Sequence, residues 1–225
     1  MAGSGPPLLL LHGLAGSARC WTWNMAALGE THTVRAIDLP ASGQSSRSSS
    51  FELDRVPDEI IATMDRLGIE RASIVGHSMG GLIAGRLAAD HPDRVDRLVL
   101  VDAAFVSLDP RWWRHGPGRL RVPRWAEASL LVLTSEEVVR VGPRRLAQVI
   151  RQLIRVDWGD ALPRIEAPTL VVWGEHDGLC PPGVGRRIVE RVPGSRLVMI
   201  PGSGHNPMWE RPAEFNRVVA EFLAG

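Results

Sequence analysis

Apolar and polar positions alternate between two regimes along this chain. Short, mostly apolar runs of about four to seven residues recur, each followed by a small or polar turn. Pro7 to Leu11, Thr33 to Ile37, Ala72 to Val75, Val95 to Val101, Thr169 to Trp173 and Arg196 to Ile200 read this way. Runs of that length, bounded by turn residues, predict strands buried on both faces. Between them lie stretches with helical spacing. Residues 18–28, Pro57 to Leu67 and Leu82 to Ala89 predict helices, with Ile60, Ile61, Met64 and Leu67 on one face of the second. Gly183 to Arg191 predicts a shorter helix. A closing helix is expected to begin between Glu210 and Pro212 and to run to Leu223.

Strand alternating with helix predicts an α/β fold: a mostly parallel sheet with helices on both faces. The loops after the strands then share one edge, where sites form in such sheets. His12, Ser78, Asp102, Asp177 and His205 all follow strands. The topology is therefore expected to gather them. From Ala104 to Glu166 the pattern changes. Trp112, Trp113, Trp125 and Trp158 fall there among many arginines, with helical pieces expected near Trp125 to Leu133 and Ser135 to Ile154. The expected organisation is a core of residues 1–103 and 167–225, with 104–166 inserted.

Composition narrows the chemistry. The chain has 225 residues, 44% of them hydrophobic, enough for a sizeable core. The formal net charge of +1 supplies no global field for nucleic acid or a membrane surface. All basic side chains other than histidine are arginine, and tyrosine is absent. Schiff-base and Ser-Lys catalysis are thus excluded, as are tyrosyl acid–base roles. Cys20 and Cys180 form no disulfide framework, so a reducing compartment and a cytoplasmic protein are expected. The segment from Met1 to Pro7 has no basic run, Leu8 to Leu11 is too short for a signal peptide, and no stretch reaches membrane-spanning length.

The most informative segment is Gly76-His77-Ser78-Met79-Gly80-Gly81, between an apolar strand and a helix. Gly-x-Ser-x-Gly in that context is the nucleophile elbow. Its serine is lifted clear of the sheet, and the Met79 N–H, at the helix start, can face a developing oxyanion. A serine hydroxyl needs a base, and the base an orienting acid. His205, in the loop Gly202-Ser203-Gly204-His205-Asn206-Pro207, is the expected base. Asp177 is the expected acid, giving the chain order Ser, Asp, His. Asp102 competes for that role, and Glu175 is a weaker third choice. His12 is expected to shape its own turn, His77 to point away from the serine hydroxyl, and His176 to stand near the acid. His32 and His91 look structural, and His115 has no clear partner. The second oxyanion donor is expected from His12-Gly13-Leu14, at the Leu14 N–H. Cys180, near Asp177, reads as a structural thiol. Dinucleotide, Walker and zinc spacings are missing, so no cofactor and no metal is expected.

These pieces resemble the α/β-hydrolase superfamily. They are His12-Gly13, Asp38-Leu39-Pro40-Ala41-Ser42-Gly43-Gln44-Ser45, the elbow, Leu98-Val99-Leu100-Val101-Asp102, Trp173-Gly174-Glu175-His176-Asp177 and Gly204-His205. With flanking elements they span Leu8 to Leu223. The resemblance implies an α/β-hydrolase fold, a Ser78/Asp177/His205 triad, an oxyanion hole at Leu14 and Met79, and a cap at Ala104 to Glu166 shaping the pocket. Three departures stand out: the usual β-hairpin ahead of the His-Gly strand is missing, Ala41 replaces a glycine, and the cap is short. Serine, rather than aspartate, at the elbow argues against dehalogenase and epoxide hydrolase chemistry. The expected activity is cleavage of a carboxylic ester of a small or medium apolar acyl compound through an acyl-enzyme. Thioesterase, carrier-bound ester hydrolase, lactonase and carbon–carbon bond hydrolase activities are the alternatives, and a noncatalytic ligand-binding relative is a further one. The substrate is expected to be a small-molecule ester or thioester. The arginines between Arg111 and Arg164 make an acyl carrier protein a candidate partner.

Overall fold

A computed structural model describes residues 1–40, 42–43, 51–105, 107 and 136–225. Ala41, His115, Trp112, Trp113 and Trp125, with the helix expected near 125–133, lie outside the described residues.

Six strands make one parallel sheet among the described residues: β1 (Pro7–Leu11), β2 (Thr33–Ile37), β3 (Ala72–His77), β4 (Val95–Val101), β5 (Thr169–Gly174) and β6 (Arg196–Ile200). Their order across the sheet is β2-β1-β3-β4-β5-β6. The chain winds outward from β1 first to one edge and then, after crossing back, to the other. On the outer side of β2, Ala2 forms a single antiparallel bridge with Val34, where the family resemblance leads one to expect a hairpin.

The apolar runs of the inner strands follow from burial on both faces. Leu9, Leu11, Ile74, Leu98, Leu100, Val171 and Trp173 enter one core. Leu8, Leu10, Val75, Val99, Val101, Leu170 and Val172 enter a second core on the opposite face. This is the two-residue period of a strand, read twice. The first core is covered by α2 (Val56–Arg66), α3 (Met79–Asp90) and α5 (Pro182–Arg191), and α4 (Pro143–Arg155) contributes Val149 to it. The second is covered by α1 (Met25–Leu28) and the closing helix α7 (Pro212–Ala224), which Phe215, Val218, Val219 and Leu223 anchor. Fully burying one such side chain contributes about 1.5–3 kcal/mol.

Three expected elements differ in detail. Residues 18–28 form a short 3-10 turn, Ala18–Trp21, and then the single turn of α1. Asn24 lies at the break, and its amide reaches away to the Met208 carbonyl at 3.1 Å and to Asn216 Oδ1 at 2.7 Å. The local backbone bonds persist there, from the Asn24 N–H to the Trp21 carbonyl and from the Leu28 N–H to the Asn24 carbonyl, while the side chain ties the turn to the C-terminal part of the chain. The helix expected over Ser135 to Ile154 is split into residues 136–141 and α4. Gly142 intervenes at φ +81°, and Pro143, which has no N–H to donate, starts the second piece. On α2 the buried stripe is Val56, Ile60 and Met64, whereas Leu67 caps the helix and is 43% exposed. Trp158 is buried, with the Arg86 guanidinium 5.4 Å from its ring centre. No described helix is long and apolar enough to cross a membrane.

Candidate active site

The elbow sits where β3 gives way to α3. Ser78 has φ +53° and ψ −117°, a backbone conformation that side chains other than glycine rarely adopt. Three hydrogen bonds hold it there: Ser78 N–H donates to the Val101 carbonyl at 2.9 Å, and the Ser78 carbonyl accepts from Leu82 and Ala104, both at 3.0 Å. The turn is possible because the flanking residues lack side chains. A Cβ on Gly76 would lie 2.4 Å from the Gly80 carbonyl oxygen, and one on Gly80 would lie 2.5 Å from that of Leu11. Ala15 and Asp102 are the other described non-glycine residues with positive φ. All three strained positions follow strands on the same sheet edge. Strain of this kind concentrates where the surrounding structure fixes a working geometry.

The structure brings Ser78, His205 and Asp177 into a hydrogen-bonded series. His205 Nδ1 lies 2.8 Å from Asp177 Oδ2, and His205 Nε2 lies 3.0 Å from Ser78 Oγ. An ionised carboxylate only accepts, so Nδ1–H donates to Asp177 and Nε2 is left to accept the Ser78 hydroxyl proton. Asp177 is fixed at its other oxygen too, where Oδ1 accepts from the N–H groups of Leu179 at 2.8 Å and Cys180 at 2.9 Å. Burial works to raise the Asp177 carboxyl. The His205 imidazole and the donated hydrogen bonds outweigh it and hold Asp177 below the usual carboxylate range.

Asp102 competes for the acid position in sequence but bonds elsewhere. Its Oδ1 accepts the Gly174 N–H at 3.0 Å, while the His205 ring turns to Asp177. Glu175 accepts the Gly202 N–H, and His176 faces Glu175 at 3.7 Å with more than half its side chain exposed. Neither enters the series. His91 faces Asp58, and His32 bonds Thr31.

Two further histidines fasten the loops around the elbow. His12 is fully buried. Its Nε2 accepts the Leu39 N–H at 3.0 Å, which leaves Nδ1–H to donate to the Gly13 carbonyl at 2.8 Å. This neutral ring joins the loop after β1 to the loop after β2, and burial lowers its pKa. His77 points away from the Ser78 hydroxyl, and its Nε2–H donates to the His205 carbonyl at 2.8 Å. Burial, with the neighbouring His205 ring, lowers its pKa to about 3.

Glu210 has no role assigned by the sequence reading, yet it grips the loop that carries His205. It is buried in the short helix α6 (Pro207–Glu210), with Oε2 accepting the Gly204 N–H at 2.7 Å and Oε1 the Asn206 N–H at 3.0 Å. One carboxylate thus holds the backbone on both sides of the imidazole. The signal in the sequence is a lone acid ending the apolar run Pro207-Met208-Trp209.

Met79 is the first residue of α3, where an N–H has no partner within the helix. Neither its N–H nor that of Leu14 has an acceptor among the described residues. Both residues line a small cleft that is partly open to solvent. Pro40, Phe51, Leu146 and Val149 are among the other residues of its largely apolar wall.

Asp177, Cys180 and His205 place potential metal-ligating atoms within 4.8 Å of one another. The set is not prepared for a cation. The Asp177 oxygens are taken by N–H donors, and burial, then the Asp177 charge, push the Cys180 thiol far above its ordinary range.

A model of the alpha/beta hydrolase family matches residues 8–218. Among proteins of known sequence, RutD of Caulobacter sp. (strain K31), provisionally named a carbamate hydrolase, is 32% identical over 97% of this chain and 90% of its own length. The pimeloyl-[acyl-carrier protein] methyl ester esterase of Chromobacterium violaceum is 27% identical over 98% of this chain and 95% of its own. Among solved structures, the enol-lactonase of Burkholderia xenovorans LB400 superposes with a TM-score of 0.86 at 26% identity, covering 99% of this chain and 93% of that one. The family match over nearly the whole sequence, the parallel sheet and these enzymatic relatives agree: the chain belongs to the alpha/beta hydrolase family and is a hydrolase.

Proposed function

We propose that this hydrolase cleaves a carboxylic ester of a small or medium apolar acyl compound, with Ser78 as nucleophile, His205 as base and Asp177 as the orienting acid. The observation that carries the reading is the unbroken hydrogen-bonded series from the strained Ser78 through His205 to Asp177. Ser78 Oγ attacks the ester carbonyl carbon as its proton passes to His205 Nε2. The tetrahedral oxyanion takes hydrogen bonds from the Met79 and Leu14 N–H groups, a stabilisation for which one donor typically accounts for about 2.7–4 kcal/mol. Collapse expels the alcohol, which takes the proton from His205 and leaves an acyl-Ser78 ester. Water, activated by the same imidazole, repeats the attack and frees the acid. The apolar lining of the cleft beside Leu14 and Met79 suits an apolar acyl group. In this reading residues 104–166 are the cap, and Val138, Val141, Leu146 and Val149 are its contribution to the cleft wall.

One observation favours a second reading of the leaving group. Helix α4 carries Arg144, Arg145, Arg151 and Arg155, three of them exposed. A basic face beside the cleft suits an acyl carrier protein, and the Chromobacterium relative is named for a carrier-bound methyl ester. A carrier-bound ester or a thioester would pass through the same acyl-enzyme. A lactone would do so too, its alcohol remaining tethered, and the enol-lactonase likeness keeps that class in the test.

Hydrolysis of p-nitrophenyl esters from acetate to long chains, by wild type and Ser78→Ala, tests the reading. Turnover is expected to peak at short to medium chains and to fall by about 10⁴-fold or more in the variant. Turnover that survives Ser78→Ala would refute it. A rise in KM for a carrier-bound ester with added salt, without a rise for the p-nitrophenyl ester, would select the carrier reading.

A further inference from the structure

Asp102 lies behind the hydrogen-bonded series and belongs to none of its steps. It follows β4 at φ +42°, a conformation that aspartate tolerates better than most residues, and its side chain is fully buried. Oδ1 accepts the Gly174 N–H. Oδ2 has no N–H or hydroxyl donor among the described residues. The group that the side chain does meet is the Asp177 carboxyl, at hydrogen-bonding range. Two carboxylates cannot bond each other, whereas one proton between them supplies the missing donor.

The surroundings decide which residue holds that proton. Asp177 receives three N–H donors, from Leu179, Cys180 and His205, and each favours its charged form. Asp102 receives one, inside a fully buried site that also faces Glu210 and the neutral Cys180 thiol. Burial, then the Asp177 charge, push the Asp102 carboxyl well above the carboxylate range.

We propose that Asp102 stands as a neutral carboxylic acid at neutral pH and donates an O–H hydrogen bond from Oδ2 to Asp177, making Asp102 a positioning residue for the proposed catalytic acid. The Asp102–Asp177 pair then carries one negative charge rather than two. Asp177 is tied from His205 on one side, from the Leu179 and Cys180 amides on another and from Asp102 behind. Through Gly174, the last residue of β5, Asp102 also links the end of β4 to the strand that launches the Asp177 loop.

Two variants and one spectrum test the assignment. Asp102→Asn keeps the oxygen that accepts from Gly174 and replaces the O–H donor with an N–H donor, without adding or removing charge. With p-nitrophenyl acetate as probe, its kcat is expected to fall only a few-fold, and the acid limb of its pH–rate profile is expected to stay in place. Asp102→Ala removes the donor, and its kcat is expected to fall about ten- to hundredfold, the range for a hydrogen bond to a charged group. If Asp102 is instead ionised, Asp102→Asn removes a negative charge near His205 and moves the acid limb to lower pH, which overturns the inference. The infrared spectrum of the wild type at pH 7 is expected to hold the C=O stretch of a buried protonated carboxyl that is lost in Asp102→Asn. A wild-type spectrum equal to that of the variant in this region also overturns it. The kinetic arm rests on the proposed esterase reading, but the infrared arm needs no turnover. A protein that shows the band yet hydrolyses no ester retains this inference and loses that reading.

Discussion

Glu210→Gln perturbs the His205 loop without touching the Ser78, His205 or Asp177 side chains. The carboxylate accepts from the Gly204 N–H at 2.7 Å and the Asn206 N–H at 3.0 Å, one on each oxygen. A glutamine amide has one acceptor oxygen, and its NH₂ must face the other backbone N–H. One charge-assisted bond is lost and one buried donor is left unpaired. Together these cost about 2–5 kcal/mol. For a chain of this size about 1 kcal/mol moves Tm by roughly 2–4 °C, so the expected fall is roughly 5–15 °C. The catalytic consequence is separate. Loosening the loop blurs the 2.8 Å and 3.0 Å contacts that align His205 between Asp177 and Ser78. Misplacing a reacting group by about 1 Å can cost 10²-fold, so kcat is expected to fall about ten- to hundredfold while KM changes little. Thermal unfolding followed by circular dichroism and p-nitrophenyl acetate kinetics below the variant's Tm measure the two effects. A variant with wild-type Tm and wild-type kcat would refute the claim that Glu210 holds the loop.

Two more outcomes follow from buried titrating groups. The unfolded chain protonates His77 as pH falls below the ordinary imidazole value of 6.5, but the folded chain refuses that proton until about pH 3. The His77 contribution is therefore fully present above about pH 6.5 and is lost as pH falls toward 3, at about 1.4 kcal/mol per pH unit. Urea unfolding between pH 7 and pH 4.5 should show wild type losing stability more steeply than His77→Gln. A difference between the two that does not vary with pH would contradict this. Cys20 and Cys180 are free and buried, and burial foremost pushes both thiols up. A thiol-specific disulfide reagent should therefore react with neither in the native protein and with both in urea, whereas prompt labelling of the native protein would show that the burial is wrong.

The elbow was legible because a strained turn leaves a composition behind: glycines where backbones nearly touch, with a strand before and a helix after. The gathering of Ser78, Asp177 and His205 was legible for a different reason. Each follows a strand of a parallel sheet, and that topology brings such positions to one edge. What the sequence hid are contacts without a local pattern. The Asn24 amide reaches Met208 and Asn216 across the fold, partners that no local window over 18–28 contains. Glu210 acts through the backbone of Gly204 and Asn206, and spacing alone does not distinguish it from any acid at a helix end. Asp102 and Asp177 were both visible as acids after strands, and chain order favoured Asp177, but the direction in which the His205 ring turns is set by packing that no local pattern records. The break at Gly142-Pro143 is the opposite case. Its residues announce a helix boundary, and the apolar spacing on either side obscured it.

The claim that Ser78 is the nucleophile is tested most directly by a fluorophosphonate, which phosphonylates an activated serine irreversibly, with the adduct mapped by mass spectrometry. One adduct per chain is expected, on Ser78, with a much slower reaction in His205→Ala. An unlabelled wild type, or an adduct that persists in Ser78→Ala, would contradict it.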